Sequence, residues 1–185
     1  MSAVLQQRMS VDEFLAWSKG QEGRYELEDG AVVAMAPELG RHIRAKGLSF
    51  LALRSAIQRS NLPCEAYVDG FGVPAEGTSV FIPDVLVQCG DQPSDDARLA
   101  DRPMIVVEVL SSSTMTRDIG VKLGGYFKLP SLHHYLILDA DKRLVIHHRR
   151  GEHAIETAVT TTGELRLDPP GITVGVEDLF PPVEA

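Results

Sequence analysis

The sequence predicts a mixed α/β domain with a central mixed β-sheet flanked by helices. Three segments with helical spacing of their apolar residues alternate with short runs rich in Val, Ile and Leu. This order is typical of helices packed on one sheet. The 185 residues are 44% hydrophobic and 24% charged, which is sufficient for a single domain with a buried core over residues 1–185.

The first part of the chain is predicted to contain a short helix, a β-hairpin and a long helix. A capping-box pattern at Ser10 and Glu13 opens the short helix, which ends near Gly20. Residues 25–35 form two strands that turn around an Asp-Gly pair. Residues 41–59 form the long helix, because their apolar residues recur at spacings of three, four and seven.

The remainder of the chain is predicted to complete the sheet and to add one helix. Strands at residues 67–73 and 80–87 precede a polar, acidic loop. Residues 104–110 are an apolar, β-branched run that predicts a buried strand, and residues 118–128 follow as a helix. Further strands are predicted at residues 134–138, 143–148, 154–161 and 172–174.

Two carboxylates interrupt strands that are otherwise apolar. Glu108 lies within residues 104–110, and Asp84 lies within residues 81–87. A buried carboxylate costs several kcal/mol unless a cation or hydrogen-bond donors meet it. Lys122, on the following helix, is one candidate partner, and a divalent cation shared with the second carboxylate is the other.

Strand alternation predicts that these two carboxylates lie on one face of the sheet. Glu108 shares a face with Val106, and Asp84 shares a face with Leu86. In neighbouring strands the two side chains would lie about 5 Å apart. A divalent cation such as Mg²⁺ would relieve the repulsion between them through hard oxygen ligands.

The predicted long helix carries five basic residues and no acidic residue. This local excess of positive charge could face phosphates, and a solvated helix face is the alternative. His42 and Lys46 lie one turn apart and flank the apolar stripe, so we expect them to lean toward a cleft where they could bind substrate.

Composition sets limits on partners and on location. The net charge of −8 and the pI of about 5.2 argue against a general nucleic-acid clamp, which is usually basic. Cys64 and Cys89 match neither a zinc pattern nor a disulfide framework, so we expect a reducing cytoplasm. The polar start of the sequence and its lack of a long apolar run predict neither a signal peptide nor a membrane span.

Several motifs in order resemble the Uma family of endonucleases, a branch of the PD-(D/E)XK nuclease superfamily. The resemblance covers about residues 9–180 and implies a restriction-endonuclease-like fold. The matching residues are Tyr25-Glu26-Leu27, His42, Pro83-Asp84, Glu108-Val109-Leu110-Ser111, the helical set Asp118, Lys122 and Tyr126, and Tyr135-Leu136-Ile137-Leu138-Asp139.

The resemblance implies roles for the charged residues. Asp84 and Glu108 look like the metal-binding acids, with the Val109 carbonyl as a further ligand. Leu110 stands where the superfamily pattern places a lysine, so Lys122 inherits that catalytic role, and Glu26 looks like an additional catalytic acid. The implied cofactor is Mg²⁺, with Mn²⁺ as a substitute, and a homodimer is the expected assembly.

We therefore expect metal-dependent cleavage of DNA, and two alternatives stay open. The first is a nuclease that acts on RNA or on unusual DNA structures. The second is a catalytically inactive, nuclease-like fold that acts as a dimeric binding or regulatory module, with structural acids.

Each candidate residue also has a purely structural interpretation. Glu108 and Lys122 would form a buried salt bridge, and backbone amides would satisfy Asp84. Tyr126 would belong to the core. The histidines at positions 147 and 148 are interpreted as part of a solvated hairpin.

Overall fold

The computed structural model describes residues 8–75, 77–100, 102–110 and 118–182, with the side chains of residues 118 and 119 left out. Within these residues the helices are α1 (Val11–Ser18), α2 (Gly40–Arg59) and α3 (Asp118–Phe127), followed by a 3₁₀ turn at Glu177–Leu179. The strands are β1 (Tyr25–Glu28), β2 (Ala31–Ala34), β3 (Cys64–Val68), β4 (Val73–Ala75), β5 (Ser79–Phe81), β6 (Val85–Cys89), β7 (Pro103–Val109), β8 (His134–Asp139), β9 (Leu144–Arg150), β10 (Ile155–Thr160), β11 (Glu164–Leu167) and β12 (Ile172–Gly175).

The predicted central sheet is confirmed. In the described part of the chain it contains six strands in the order β10-β9-β8-β7-β6-β3. Strands β7 and β8 are parallel, whereas the other neighbouring pairs are antiparallel. The parallel pair follows from the crossover through α3, which returns the chain to the starting edge of β7. Strands β2, β1, β5 and β4 form a smaller sheet, and β11 pairs with β12.

Helices α2 and α3 cover opposite faces of the central sheet. Alternate residues of β7 face opposite sides, because side chains alternate along a strand. Val107 packs in the cluster that contains Leu53 of α2. Val106 packs in the cluster that contains Tyr126 of α3. The buried strands β7 and β8 therefore have a hydrophobic core on both faces, as their continuous apolar sequences predict.

The strand predicted at residues 80–87 is divided in two, which corrects the sequence interpretation. Strand β5 ends at Phe81 and belongs to the smaller sheet, whereas β6 begins at Val85 in the central sheet. Pro83 lies in the break and has no N–H for a sheet hydrogen bond. The Ile82 N–H donates to a Glu26 carboxylate oxygen at 2.8 Å instead. Asp84 therefore lies in a bend between two sheets and not within a strand.

The expectation that the cysteines form no disulfide was wrong. Cys64 of β3 and Cys89 of β6 are directly opposite in the antiparallel pair. Their sulfur atoms are bonded across a Cα–Cα distance of 3.9 Å. Strand register creates this proximity, and a sequence separation of 25 does not reveal it. The cysteine argument for a reducing cytoplasm therefore no longer holds.

None of the helices in the described part of the chain combines the length and the apolar character that crossing a membrane requires.

Candidate active site

Glu108 lies at the centre of a buried group of polar side chains on the α3 side of the sheet. We call Glu26, Glu108, Lys122 and Tyr126 the Glu108 cluster. The Lys122 ammonium lies 3.0 Å and 3.1 Å from the two Glu108 oxygens and 2.9 Å from Glu26. The Tyr126 hydroxyl donates to Glu108 at 2.7 Å. The predicted pairing of Glu108 with Lys122 is therefore present in the structure.

Local sequence explains how α3 presents its two polar residues to Glu108. Lys122 and Tyr126 are four residues apart, so they share one face of the helix. A Cβ atom on Gly125 would lie 2.8 Å from the Phe81 ring and 3.0 Å from the Ala75 Cβ. Glycine at this position therefore allows α3 to approach the smaller sheet closely, which brings Lys122 to Glu26 of β1.

Burial determines the protonation of the Glu108 cluster. It raises the pKa of Glu108 to about 7, with Lys122 acting in the opposite direction and Glu26 and Asp84 adding to the rise. For Lys122, burial acts to lower the pKa, but the carboxylates of Glu108 and Glu26 outweigh it and raise the pKa above its ordinary value. Burial therefore favours the protonated form of Glu108, whereas the neighbouring carboxylates favour the charged form of Lys122.

A second group of charged side chains surrounds Asp84 on the α2 side. We call Arg24, Glu38, His42, Lys46, Asp69 and Asp84 the Asp84 cluster. The Lys46 ammonium lies 2.9 Å from Asp84, 2.6 Å from Glu38 and 3.1 Å from Asp69. His42 Nε2 lies 3.2 Å from Asp84. Arg24 completes the cluster through Glu38 at 3.1 Å and a close contact with Asp69.

Asp84 has the opposite pKa shift from Glu108. Burial acts to raise the pKa of Asp84, but the hydrogen bond with His42 and the charge of Lys46 outweigh it, so the pKa falls below its ordinary value. For Lys46, burial acts to lower the pKa, and the charge of Asp84 and the hydrogen bond to Glu38 outweigh it and raise the pKa. Asp84 and Lys46 are therefore an ion pair at neutral pH.

The two clusters adjoin at the end of β7. The Val109 N–H donates to Asp84 Oδ2 at 2.7 Å, and Val109 directly follows Glu108. The charge of Asp84 also acts on the pKa of Glu108. The two carboxylates nevertheless bond to opposite helices, unlike the expectation of a shared face, because Asp84 precedes β6 in a bend where strand alternation does not apply.

His42 and Lys46 of α2 are the two residues that the sequence predicts to bind substrate. His42 and Lys46 are 8% and 3% exposed, so both are buried in the Asp84 cluster. His42 Nδ1 has no hydrogen-bond partner within the described residues. The carboxylates of the Asp84 cluster pair with both side chains. A phosphate could therefore contact His42 or Lys46 only if those carboxylates bound another cation instead.

Sequence reasoning missed three members of the Asp84 cluster. Glu38 precedes α2 and lies four residues before His42, a spacing that could have indicated a shared helical face. Asp69 lies in a turn with a positive φ of 54°, where only the tertiary fold brings it to Lys46. Arg24 lies in the loop before β1 and carries no distinguishing signal in the sequence.

Two parts of the sequence interpretation require further comment. The motif residues Ser111 and Asp118 lie outside the described side chains. The interpretation of His147 and His148 as part of a solvated hairpin was wrong, because they are 9% and 7% exposed. The Nε2 atom of His147 lies 2.9 Å from the Nδ1 atom of buried His134.

The chain was compared with known protein families and structures. The family described as "Uma2: Putative restriction endonuclease" matches residues 11–181. The chain belongs to the Uma2 family.

The chain is also similar to two relatives and to one solved structure. The Synechocystis sp. "Uncharacterized protein sll1609" is 35% identical over 147 residues, covering 77% of this chain and 81% of the relative. The "Uncharacterized protein slr1290" of the same organism is 29% identical over 138 residues, covering 72% and 70%. A crystal structure from Anabaena variabilis, described as "a putative nuclease belonging to DUF820", has a TM-score of 0.72 at 15% identity, covering 93% of this chain and 97% of that one. The latter likeness shows the fold and confirms the predicted fold class.

The site of this Uma2 protein has the composition that a divalent cation requires. Among its described side chains, carboxylates exceed ammonium and guanidinium groups by two. The carboxylates are Glu26, Glu38, Asp69, Asp84 and Glu108, and the cations are Arg24, Lys46 and Lys122. Carboxylate oxygens are the ligands that Mg²⁺ and Mn²⁺ prefer. The residues therefore fit a divalent cation.

Proposed function

We propose that this Uma2-family protein is a metal-dependent endonuclease that hydrolyses DNA phosphodiester bonds. The observation that carries the proposal is the hydrogen bond from the Val109 N–H to Asp84, which brings the Asp84 carboxylate to the residue that directly follows Glu108. Glu108 is held by Lys122 and Tyr126, and Asp84 by the Val109 amide. A buried carboxyl group with a pKa of about 7 is typical of a functional site.

Asp84, Glu108 and the Val109 carbonyl would hold Mg²⁺ or Mn²⁺. A cation bound there would polarise a phosphoryl oxygen and make a bound water more acidic. The protein's own contribution would be to fix its ligands before substrate arrives. Backbone donation to Asp84 and hydroxyl donation to Glu108 both hold a carboxylate oxygen in place, which reduces reorganisation during the reaction.

Lys122 supplies the positive charge that phosphodiester cleavage requires beside the carboxylates. Its ammonium is shared between Glu108 and Glu26 and also lies 5.6 Å from the centre of the Phe81 ring. When Glu108 binds a cation, Glu26 would keep Lys122 in place. The ammonium could then orient the attacking water or stabilise negative charge on the phosphate oxygens.

Contact with DNA requires positive charge on the surface of an acidic protein. Arg44 and Arg54 of α2 are exposed, and this helix also supplies His42 and Lys46 to the Asp84 cluster. We propose that the exposed arginines contact phosphates first, since such contacts position a nucleic acid without reading its sequence. Binding should then weaken with increasing salt concentration.

The decisive experiment is cleavage of supercoiled plasmid with Mg²⁺ or Mn²⁺ and with EDTA. Wild-type protein should cut only with metal. Glu108→Gln, Asp84→Asn and Lys122→Met should each reduce the rate by about a hundredfold or more, the effect typical of losing a group that stabilises transition-state charge. Lys142→Met is the matched control, because Lys142 is exposed and pairs with Asp139.

Three outcomes would contradict the proposal or redirect it. Cleavage that persists in EDTA or in the Glu108→Gln variant would reject a metal-dependent mechanism at this site. Tight DNA binding without cleavage under any metal would favour the inactive binding module. Parallel assays on single-stranded DNA and RNA would show whether RNA is the preferred substrate.

We also propose that the protein acts as a homodimer, since two centres would cut both strands of a duplex in a single encounter. Sedimentation equilibrium of the full chain, with and without a short duplex, measures the assembly. A monomer that cuts both strands of a plasmid in a single encounter would contradict this arrangement.

A further inference from the structure

Glu38, His42 and Asp84 bring together one nitrogen and two oxygen donors from separate parts of the chain. His42 Nε2 lies 3.2 Å from Asp84 Oδ2 and 3.8 Å from Glu38 Oε2. One donor atom from each residue lies within 4.8 Å of the other two. The His42 and Asp84 side chains are 10% and 6% exposed, and Glu38 is 18% exposed. This donor set is therefore built into the fold beneath the surface.

The spacing of these donors suits one shared ion. Nitrogen and oxygen ligands lie about 2.1 Å from a bound transition metal, so two ligands of one ion are at most about 4.2 Å apart. The His42 nitrogen already meets this limit with both carboxylates. A small inward movement of Glu38, the most exposed of the three, would complete the set.

The structure already holds a positive charge at this position. The Lys46 ammonium lies 2.6 Å from Glu38 and 2.9 Å from Asp84, and its side chain is 4% exposed. The same ammonium lies 3.1 Å from Asp69, which is 39% exposed. Lys46 therefore has a carboxylate partner on the solvent side to which it could move without losing its ion pair.

We propose that Glu38, His42 and Asp84 bind a first-row transition-metal ion such as Co²⁺, Ni²⁺ or Zn²⁺, and that the Lys46 ammonium occupies this position when the metal is absent. The imidazole selects these ions over Mg²⁺ and Ca²⁺, which prefer an all-oxygen ligand set. Binding shifts Lys46 toward Asp69. The site shares Asp84 with the proposed nuclease centre, but it does not require that the protein cut DNA.

Titration of the full-length, chelator-treated protein with Co²⁺ tests the site, using visible absorption and calorimetry. Wild-type protein should bind Co²⁺ more tightly than Mg²⁺. His42→Gln and Glu38→Gln should each weaken Co²⁺ binding by about tenfold or more, at least the loss that follows removal of a group supporting a metal ligand. His153→Gln is the matched control, because the His153 side chain is 87% exposed.

Lys46→Met tests the role of the ammonium separately. Removing the resident cation should tighten Co²⁺ binding by about tenfold or more, because the carboxylates lose their competing partner. Without metal this variant should melt below the wild type, and Co²⁺ should raise its melting temperature more than Mg²⁺ does. A Lys46→Met protein that does not fold would leave the His42→Gln and Glu38→Gln titrations to decide.

The proposal is overturned if wild-type protein binds no Co²⁺, or if His42→Gln binds it as tightly as wild type. It is also overturned if Glu108→Gln removes Co²⁺ binding while His42→Gln does not, since the ion would then belong to the nuclease centre. Plasmid cleavage is scored independently. Cleavage without Co²⁺ binding through His42 rejects this site alone, whereas Co²⁺ binding through His42 without cleavage rejects the nuclease alone.

Discussion

The Glu108 cluster and the Asp84 cluster are built alike, but the pKa values of their central carboxyl groups are shifted in opposite directions. In each, a buried carboxylate meets the ammonium of a helical lysine, at 3.0 Å in one cluster and 2.9 Å in the other. Burial dominates at Glu108 and raises its pKa to about 7. Donors dominate at Asp84, whose pKa falls although burial acts to raise it.

The difference shows that a lysine partner does not by itself fix the charge of a buried carboxylate. Lys122 is shared with Glu26, whose negative charge also acts to raise the pKa of Glu108. Asp84 receives a backbone N–H in addition to Lys46 and His42. Folding therefore favours the ionised form of Asp84, whereas burial favours the protonated form of Glu108.

Replacing Lys46 or Lys122 should give the largest decrease in the free energy of unfolding. Lys46→Met should destabilise the protein by about 3–5 kcal/mol, the usual result of leaving a buried charge unpaired. Lys122→Met should cost less at pH 7, because Glu108 can take up a proton once its partner is removed. Urea unfolding with EDTA present measures both values.

Lys142→Met is the control for the lysine variants. Lys142 pairs with Asp139 at 3.1 Å, but its side chain is 66% exposed, so its loss should cost about 1 kcal/mol or less. Equal costs for Lys46→Met and Lys122→Met would show that the two clusters do not differ in the way their pKa shifts indicate.

The buried pair His134–His147 provides a comparison that lacks a carboxylate. Burial, the largest cause, lowers the pKa of each to about 4. The unfolded histidines bind protons near pH 6.5, so stability should fall as the pH drops from about 6.5 to 4. Each histidine should contribute a loss of about 3 kcal/mol, because one pKa unit is about 1.4 kcal/mol.

Urea unfolding between pH 5 and pH 7 isolates this effect from most carboxylates. His147→Gln should reduce the pH dependence of the unfolding free energy, and His153→Gln, which changes an exposed side chain, should not. An unchanged slope in His147→Gln would mean that folding does not lower the pKa of His147.

The sequence predicted the Glu108 cluster better than the Asp84 cluster, and the reason is physical. Glu108 is a charge in an apolar strand, and Lys122 follows on the next helix. One short stretch of sequence therefore contains both the buried carboxylate and the cation that pairs with it. Asp84 was indicated in the same way, as a charge in a short apolar run, and motif resemblance added Glu26. The central sheet was predictable too, because β7 and β8 are continuous apolar runs with core on both faces.

Residues placed by loops and by register were not predictable. Glu38 and Asp69 reach Lys46 from loops whose paths depend on the whole fold. The Cys64–Cys89 bond depends on pairing of β3 with β6. The break before β6 also escaped prediction, since Pro83 signals an interruption but does not show that the chain passes between two sheets.

Neutralising Asp84 or Glu108 should decrease the free energy of unfolding less than replacing the lysine that pairs with it. Asp84→Asn should cost about 2 kcal/mol, the usual value for hydrogen bonds to a charged group. Glu108→Gln should cost less than about 1 kcal/mol, because the native structure disfavours the ionised form that the amide replaces. Chemical denaturation at pH 7 with EDTA checks the ranking. A Glu108→Gln cost above that of Asp84→Asn would reverse the comparison.

Tyr126→Phe gives the most direct test of the Glu108 pKa, with a loss of stability smaller than that of Lys46→Met. The lost hydroxyl donates at 2.7 Å, so its removal should cost about 1.5 kcal/mol. Because this hydrogen bond acts to lower the pKa of Glu108, its loss should raise that pKa above about 7. NMR titration of labelled glutamate carboxyl carbons in metal-free protein measures the shift.

Tyr25→Phe, in which a hydroxyl that donates to the Glu22 carbonyl is removed, should leave the Glu108 titration unchanged. A Glu108 pKa that falls in Tyr126→Phe would mean that Tyr126 supports the protonated acid, and that Lys122 and Glu26 govern the ionised form.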